Sequence, residues 1–246
     1  MADEFEKQWN FPHCVGALDG KHVRIEPPPN SGSLYYNYKQ YHSIVLMALV
    51  DAQHRFLFVD IGCYGRVSDG GVFNSCGLSS GLERNSLNIP APSPLPHSDI
   101  TVPYVVVADD AFALRSTVMK PYPLRNLTRE QRIYNYRLSR ARRVVENTFG
   151  IMCSRFRIFG KAIGLSPEKV QNVVMAACCI HNFLLRDASS AAQYLPEDVN
   201  IPTSLNPLAK PHANHSSTEA RSVRDSFCRY FCSAEGAVSW QDNAIM

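Results

Sequence analysis

Apolar and polar residues follow two rhythms along this chain. Through residue 65 the rhythm suits strands. The stretches 11–27 (FPHCVGALDGKHVRIEP), 43–51 (SIVLMALVD) and 55–65 (RFLFVDIGCYG) are short and rich in β-branched and aromatic residues, and the last two meet at the turn-like DAQH. They predict an antiparallel three-strand meander. A short helix follows near residue 70, capped at Ser68 or Asp69. Prolines 90, 92, 94 and 96 then rule out helix or central strand. Residues 104–109, YVVVAD, predict a fourth strand with the β-branched continuity of a sheet centre.

From about Tyr134 the spacing changes to threes and fours. Leu138, Ala141, Val145, Phe149, Met152 and Phe156 form one apolar stripe, which predicts a helix over 134–156. A second helix runs from a Ser166 cap, with Pro167 in its first position, to Arg186. Beyond Arg186 the composition turns to Ala, Ser, Pro and Asn. The expected division is therefore a folded domain over 1–186 and a linker and tail over 187–246. The tail carries a late amphipathic helix near 217–231, opened by a Ser216/Glu219 capping box. Three strands, a helix, a fourth strand and further helices give an α/β order, of which the ribonuclease H arrangement is one version.

Composition refines this little. With 246 residues and 45% apolar content the chain can bury a full core, and a net charge of +3 says nothing decisive. The distribution of charge says more. Eight arginines (129, 132, 137, 140, 142, 143, 155 and 157) lie between Thr128 and Arg157 against two acids, Glu130 and Glu146. Of these, Arg137, Arg140, Arg142 and Arg143 are candidates for phosphate contact, with a solvated helix face as the plain alternative. The opening MADEFEKQWN is too polar for a signal peptide, and no apolar run approaches the ~18–20 residues of a membrane span. The eight cysteines lack zinc spacing and read as free thiols in a reducing compartment.

Three acids carry the candidate chemistry. Asp19 and Asp109 sit in or beside β-branched runs, where a carboxylate is costly unless hydrogen-bonded, paired or bound to metal. Glu146 lies on the basic helix, at the edge of its stripe. Carboxylates beside a basic surface suit divalent cations held against a phosphate backbone. Each has a plain alternative as well: a turn at Asp19, a helix cap at Asp109–Asp110, an ion pair of Glu146 with Arg142 or Arg143. His181 and Asn182 read as a satisfied buried pair, and His22 as a structural strand histidine.

Several collinear blocks make the chain resemble the nuclease domain of PIF/Harbinger transposases and their domesticated relatives, of the DDE superfamily. The carriers are GALDGKHV, YYNYKQYHSIVLMALVDA, FVDIGCYGRVSDGGVF, VADDAFAL, MKPYP, NYRLSRARRVVENTFGI and CCIHNFLL, which together run from about Phe11 to Leu185. The resemblance implies a ribonuclease H-like fold, a central mixed sheet flanked by helices, and two divalent ions, Mg²⁺ or Mn²⁺. It also implies a catalytic and metal-binding triad of Asp19, Asp109 and Glu146, with Asp110 a close rival for the second place. DNA would be the substrate and the nucleus, with the cytoplasm, the compartment. Such transposases usually carry a helical DNA-binding region ahead of the first acid, which here stands at position 19. A Myb/SANT-like partner that finds the DNA is therefore expected. A catalytically silent DNA- or protein-binding module is the competing reading.

Overall fold

In the computed structural model, which describes residues 1–196, 205–207 and 216–245, the meander forms as its pattern requires. A helix not expected from the sequence, α1 (Ala2–Trp9), precedes it and buries Phe5. β1 (Cys14–Arg24), β2 (Ser43–Val50) and β3 (Phe56–Tyr64) follow, joined in antiparallel pairs. Next come α2 (Asp69–Ser75), with Ser68 at its N-cap, and α3 (Gly77–Glu83), a helix the sequence does not predict. The proline-rich stretch holds only a two-residue hairpin, β4 (Ser93–Pro94) with β5 (Thr101–Val102). β6 (Val105–Val107) and β7 (Val118–Met119) complete a sheet of order β3-β2-β1-β6-β7, in which β6 runs parallel to both β1 and β7.

Period-two alternation builds two layers on this sheet. Ala17, Val23, Ile44, Leu46, Ala48, Val105 and Val107 face one large core. Leu18, Val45, Met47, Leu49, Val106 and Ala108 face a smaller one under α2 and α3. The large core is closed by α4 (Arg129–Arg155) and α5 (Pro167–Leu184). α4 starts five residues earlier than its apolar stripe suggests. The signal is a capping box: Thr128 accepts from the Gln131 backbone, and the Gln131 side chain accepts from Thr128 N–H. Two short elements, α6 (Ala188–Tyr194) and β8 (Asn206–Pro207), come next, and β8 pairs with β1 at Lys21 and His22.

The last helix, α7 (Thr218–Cys232), corrects the division at residue 186. Phe227 and Phe231 are fully buried, with ring centroids 5.4 and 5.1 Å from that of Phe11. The predicted tail thus supplies part of the main core. Composition marked it as linker because the apolar stripe is short and its partners lie some 200 residues away in the chain. Its cap is Ser217, which accepts from Ala220 N–H, one residue beyond the predicted Ser216. No helix among the described residues is long and apolar enough to cross a membrane.

Candidate active site

Strand register brings two of the acids together. β1 and β6 pair in parallel with Ala17 opposite Val107. Asp19 and Asp109 each lie two residues further on, so alternation aims both toward the layer that holds α4. Asp19 is only 2% exposed. Its Oδ1 accepts from Gly20 N–H at 2.9 Å, and Lys21 Nζ stands 2.8 Å from Oδ2. That second contact is close enough for an ion pair but is not aligned as a hydrogen bond, so Oδ2 is a buried acceptor without a hydrogen-bond donor. Lys21 is itself buried, 5.8 Å from the centre of the Phe149 ring.

Asp109 Oδ1 accepts from Ala111 N–H at 2.9 Å, closing a tight turn at the end of β6. Burial, and then the charge of Asp19, push the Asp109 carboxyl above its ordinary range; the Ala111 bond and Arg142 oppose this without cancelling it. Lys120 Nζ clamps the same turn, donating to the carbonyls of Asp110 (2.9 Å) and Phe112 (2.8 Å).

Glu146 occupies a half-buried position on α4 beside buried Val145, and its Oε1 is 2.7 Å from Arg142 Nη1 one turn earlier. Burial works against the charge on Arg142, but Glu146, then Asp19 and Asp109, outweigh it and hold the guanidinium protonated. Arg142 thus lies within the field of all three acids. Asp19 and Asp109 lie within one another's field, and Glu146 is paired with Arg142. Among the described residues no group of three or more His, Cys, Asp or Glu side chains is arranged to hold a metal ion. Two buried carboxylates that repel one another nonetheless fit a hard divalent cation.

The four arginines predicted to touch DNA divide sharply. Arg137 is corrected: it is 3% exposed, and its Nε donates to Asn10 O (3.0 Å) while Nη1 donates to Gln241 Oε1 (3.0 Å) and Gly236 O (3.2 Å). Its guanidinium also lies 4.4 Å from the Phe231 ring centre. The helical stripe of Leu138 and Ala141 gave no hint that a charged neighbour turns inward. Arg140 lies 4.7 Å from the ring of Trp240, Arg142 is paired with Glu146, and Arg143 is exposed.

His181 and Asn182 are structural. His181 bridges Tyr194 Oη (2.8 Å) and His54 O (2.7 Å), and Asn182 exchanges two bonds with the Phe56 backbone. His22, in the alternation of Leu18, points away from Asp19 and bonds Ser43 Oγ at 2.9 Å. The sequence reading passed over Lys21, although it stands two residues from Asp19 in a strand and so on the same face.

Comparison with known proteins shows the family. A family model described as DDE superfamily endonuclease matches residues 18–182. The human protein named "Putative nuclease HARBI1" is 30% identical over 188 residues, covering 75% of this chain and 50% of the relative. Its Xenopus laevis counterpart is 26% identical over 189 residues, with 76% and 50% covered. "Protein ALP1-like" of Arabidopsis thaliana is 26% identical over 190 residues, with 75% and 46% covered. The chain spans about half the length of these curated relatives. No solved structure matches it.

Proposed function

From membership of the DDE superfamily endonuclease family, to which this chain belongs, we propose a divalent-cation-dependent DNA endonuclease of Harbinger transposase type on a ribonuclease H-like fold. The observation that carries the reading is the parallel β1–β6 register, with Asp19 and Asp109 each two residues beyond the Ala17–Val107 pair and the charge of Asp19 acting on the buried Asp109 carboxyl. A strand protein gains no stability from two such neighbouring carboxylates.

Asp19 and Asp109 would hold a cation, Mg²⁺ or Mn²⁺, and Glu146 would join when Arg142 releases it, giving room for two ions. Bound ions supply charge neutralisation on the phosphate and a more acidic water. The protein's own contributions are positional. Gly20 and Ala111 N–H groups orient one oxygen of each Asp, Lys120 fixes the turn behind Asp109, and the β1–β6 ladder holds the spacing. Arg142, once free of Glu146, presents a guanidinium that suits a phosphate oxygen. A Myb/SANT-like partner and a nuclear location belong to the same reading.

A supercoiled plasmid incubated with the protein tests it. Nicking is expected with Mg²⁺ or Mn²⁺ and none in EDTA; equal nicking in EDTA would refute the cation requirement. A second reading, a silent binding module, draws on the ion pairs of Lys21 with Asp19 and Arg142 with Glu146, which already neutralise two of the acids. Calorimetry separates the two. Arg142→Gln frees Glu146 and removes a positive charge from the site, so Mn²⁺ is expected to bind about tenfold more tightly, about 1.4 kcal/mol. A silent module shows no Mn²⁺ heat in either protein.

A further inference from the structure

A cavity of about 310 Å³ opens beside Asp110, walled by Leu114, Pro121 and Pro123 and furnished with two cations, Lys120 and Arg224. Asp110 adjoins Asp109, so this cavity borders the acid pair. Arg224 comes from α7, outside residues 18–182 that match the family. We propose that the cavity is a nucleotide subsite, which takes a phosphate of the DNA strand between Lys120 and Arg224 and the sugar and base against Leu114, Pro121 and Pro123. The inference rests on the nuclease reading for the identity of its strand, and on the cavity alone for its anionic ligand.

Both cations are held ready for an anion. Lys120 spends two of its three protons on the carbonyls of Asp110 and Phe112. Arg224 lies over Tyr122, its guanidinium carbon 3.9 Å from the ring centre, with Nη1 donating to Pro121 O at 3.3 Å. Its Nε is buried without an acceptor. Neither cation makes an ion pair with a carboxylate among the described residues, whereas nearby Asp225 accepts from the Tyr122 hydroxyl.

The two charges also lie close enough to oppose one another. Burial lowers the Lys120 amine, Asp110 supports its charge, and Arg224 works against it. Among the lining side chains two cations face the one carboxylate of Asp110, with Asp109 behind it also supporting Lys120, and an anion between the cations relieves their repulsion. The remaining wall, Leu114, Pro121 and Pro123, is apolar, which suits a sugar and base better than inorganic phosphate. A base lodged here must leave its partner strand, so unpaired bases are the preferred ligand.

Fluorescence anisotropy with a short labelled oligothymidylate in EDTA measures the site without cleavage. Arg224→Gln is expected to weaken binding roughly tenfold and to lower the slope of log affinity against log salt by about 0.7 between about 50 and 200 mM. Arg224→Lys should recover the slope. Unchanged affinity and slope in Arg224→Gln overturn the proposal. Because Arg224 also packs on Tyr122, a crystal of the wild type soaked in thymidine 5′-monophosphate provides a second reading. Density between Lys120 and Arg224 sustains the subsite, and density elsewhere or none overturns it. Nicking by a wild type whose Arg224→Gln variant binds oligonucleotide equally well removes the subsite and leaves the nuclease. Weakened oligonucleotide binding by that variant, with a wild type that never nicks, does the reverse.

Discussion

Asp109→Asn is expected to abolish cleavage and, in EDTA at neutral pH, to melt at a higher temperature than the wild type. On the proposed reading, the first effect follows from the loss of one of two carboxylates that would hold the cation. A fall of about three orders of magnitude or more, about 4 kcal/mol of barrier, is the scale to look for in plasmid nicking. The second follows from the raised Asp109 carboxyl, which burial and Asp19 both disfavour in its charged form. Asparagine keeps an oxygen for Ala111 N–H and removes the repulsion. A carboxyl raised in the folded state costs stability as pH climbs from the ordinary aspartate range through the folded value. The melting advantage should therefore be largest near neutrality and vanish once both states are protonated, below the ordinary aspartate value of 3.8. Asp19→Asn should abolish nicking too but lower the melting temperature, because it strands the buried Lys21 ammonium. If Asp109→Asn is destabilising at neutral pH, or cleaves at the wild-type rate, Asp109 is a structural residue.

Arg137→Ala is expected to destabilise the protein by roughly 3–5 kcal/mol, lowering the melting temperature on the order of 10 °C. Burial pulls the guanidinium down to about 10, so it is still charged at neutral pH. It joins the end of α1 at Asn10 to Gly236 and Gln241 near the C-terminus, across the Phe231 ring. Truncation orphans those acceptors and opens a void beside α7. Lysine offers no planar fork and should restore little. Arg143→Ala, on the exposed side of the same helix, should change stability by no more than about 0.5 kcal/mol. Thermal melts of the three variants decide the matter. Equal melting of Arg137→Ala and wild type would return Arg137 to the list of surface contacts.

Much of the architecture is legible in residue order. The short runs SIVLMALVD and RFLFVDIGCYG, rich in β-branched and aromatic residues, predict strands, and both appear as β2 and β3. Thr128 and Gln131 also mark the start of α4, although the stripe from Leu138 onward drew attention further along. α1 is weaker evidence by nature: eight mostly polar residues with Phe5 and Trp9 one turn apart become a helix because a core receives them. α7 was visible as a helix and invisible as part of the core.

The candidate site divides in the same manner. Asp19 and Asp109 stand out locally, since a carboxylate in a β-branched run is costly wherever the chain later goes. That they become neighbours depends on a parallel ladder between segments 90 residues apart, which sets Ala17 opposite Val107. Glu146 and Arg142 could be paired from their spacing on one helix, whereas the reach of Arg142 toward both aspartates could not. Local periodicity by itself determined strands, helices and unusual acids, because those properties act within a few residues. Only tertiary structure decided that Arg137 turns inward, that Arg224 meets Lys120, and that the last helix closes the core. Each of these depends on which distant surface a side chain meets, and charge or spacing along the chain holds no record of that.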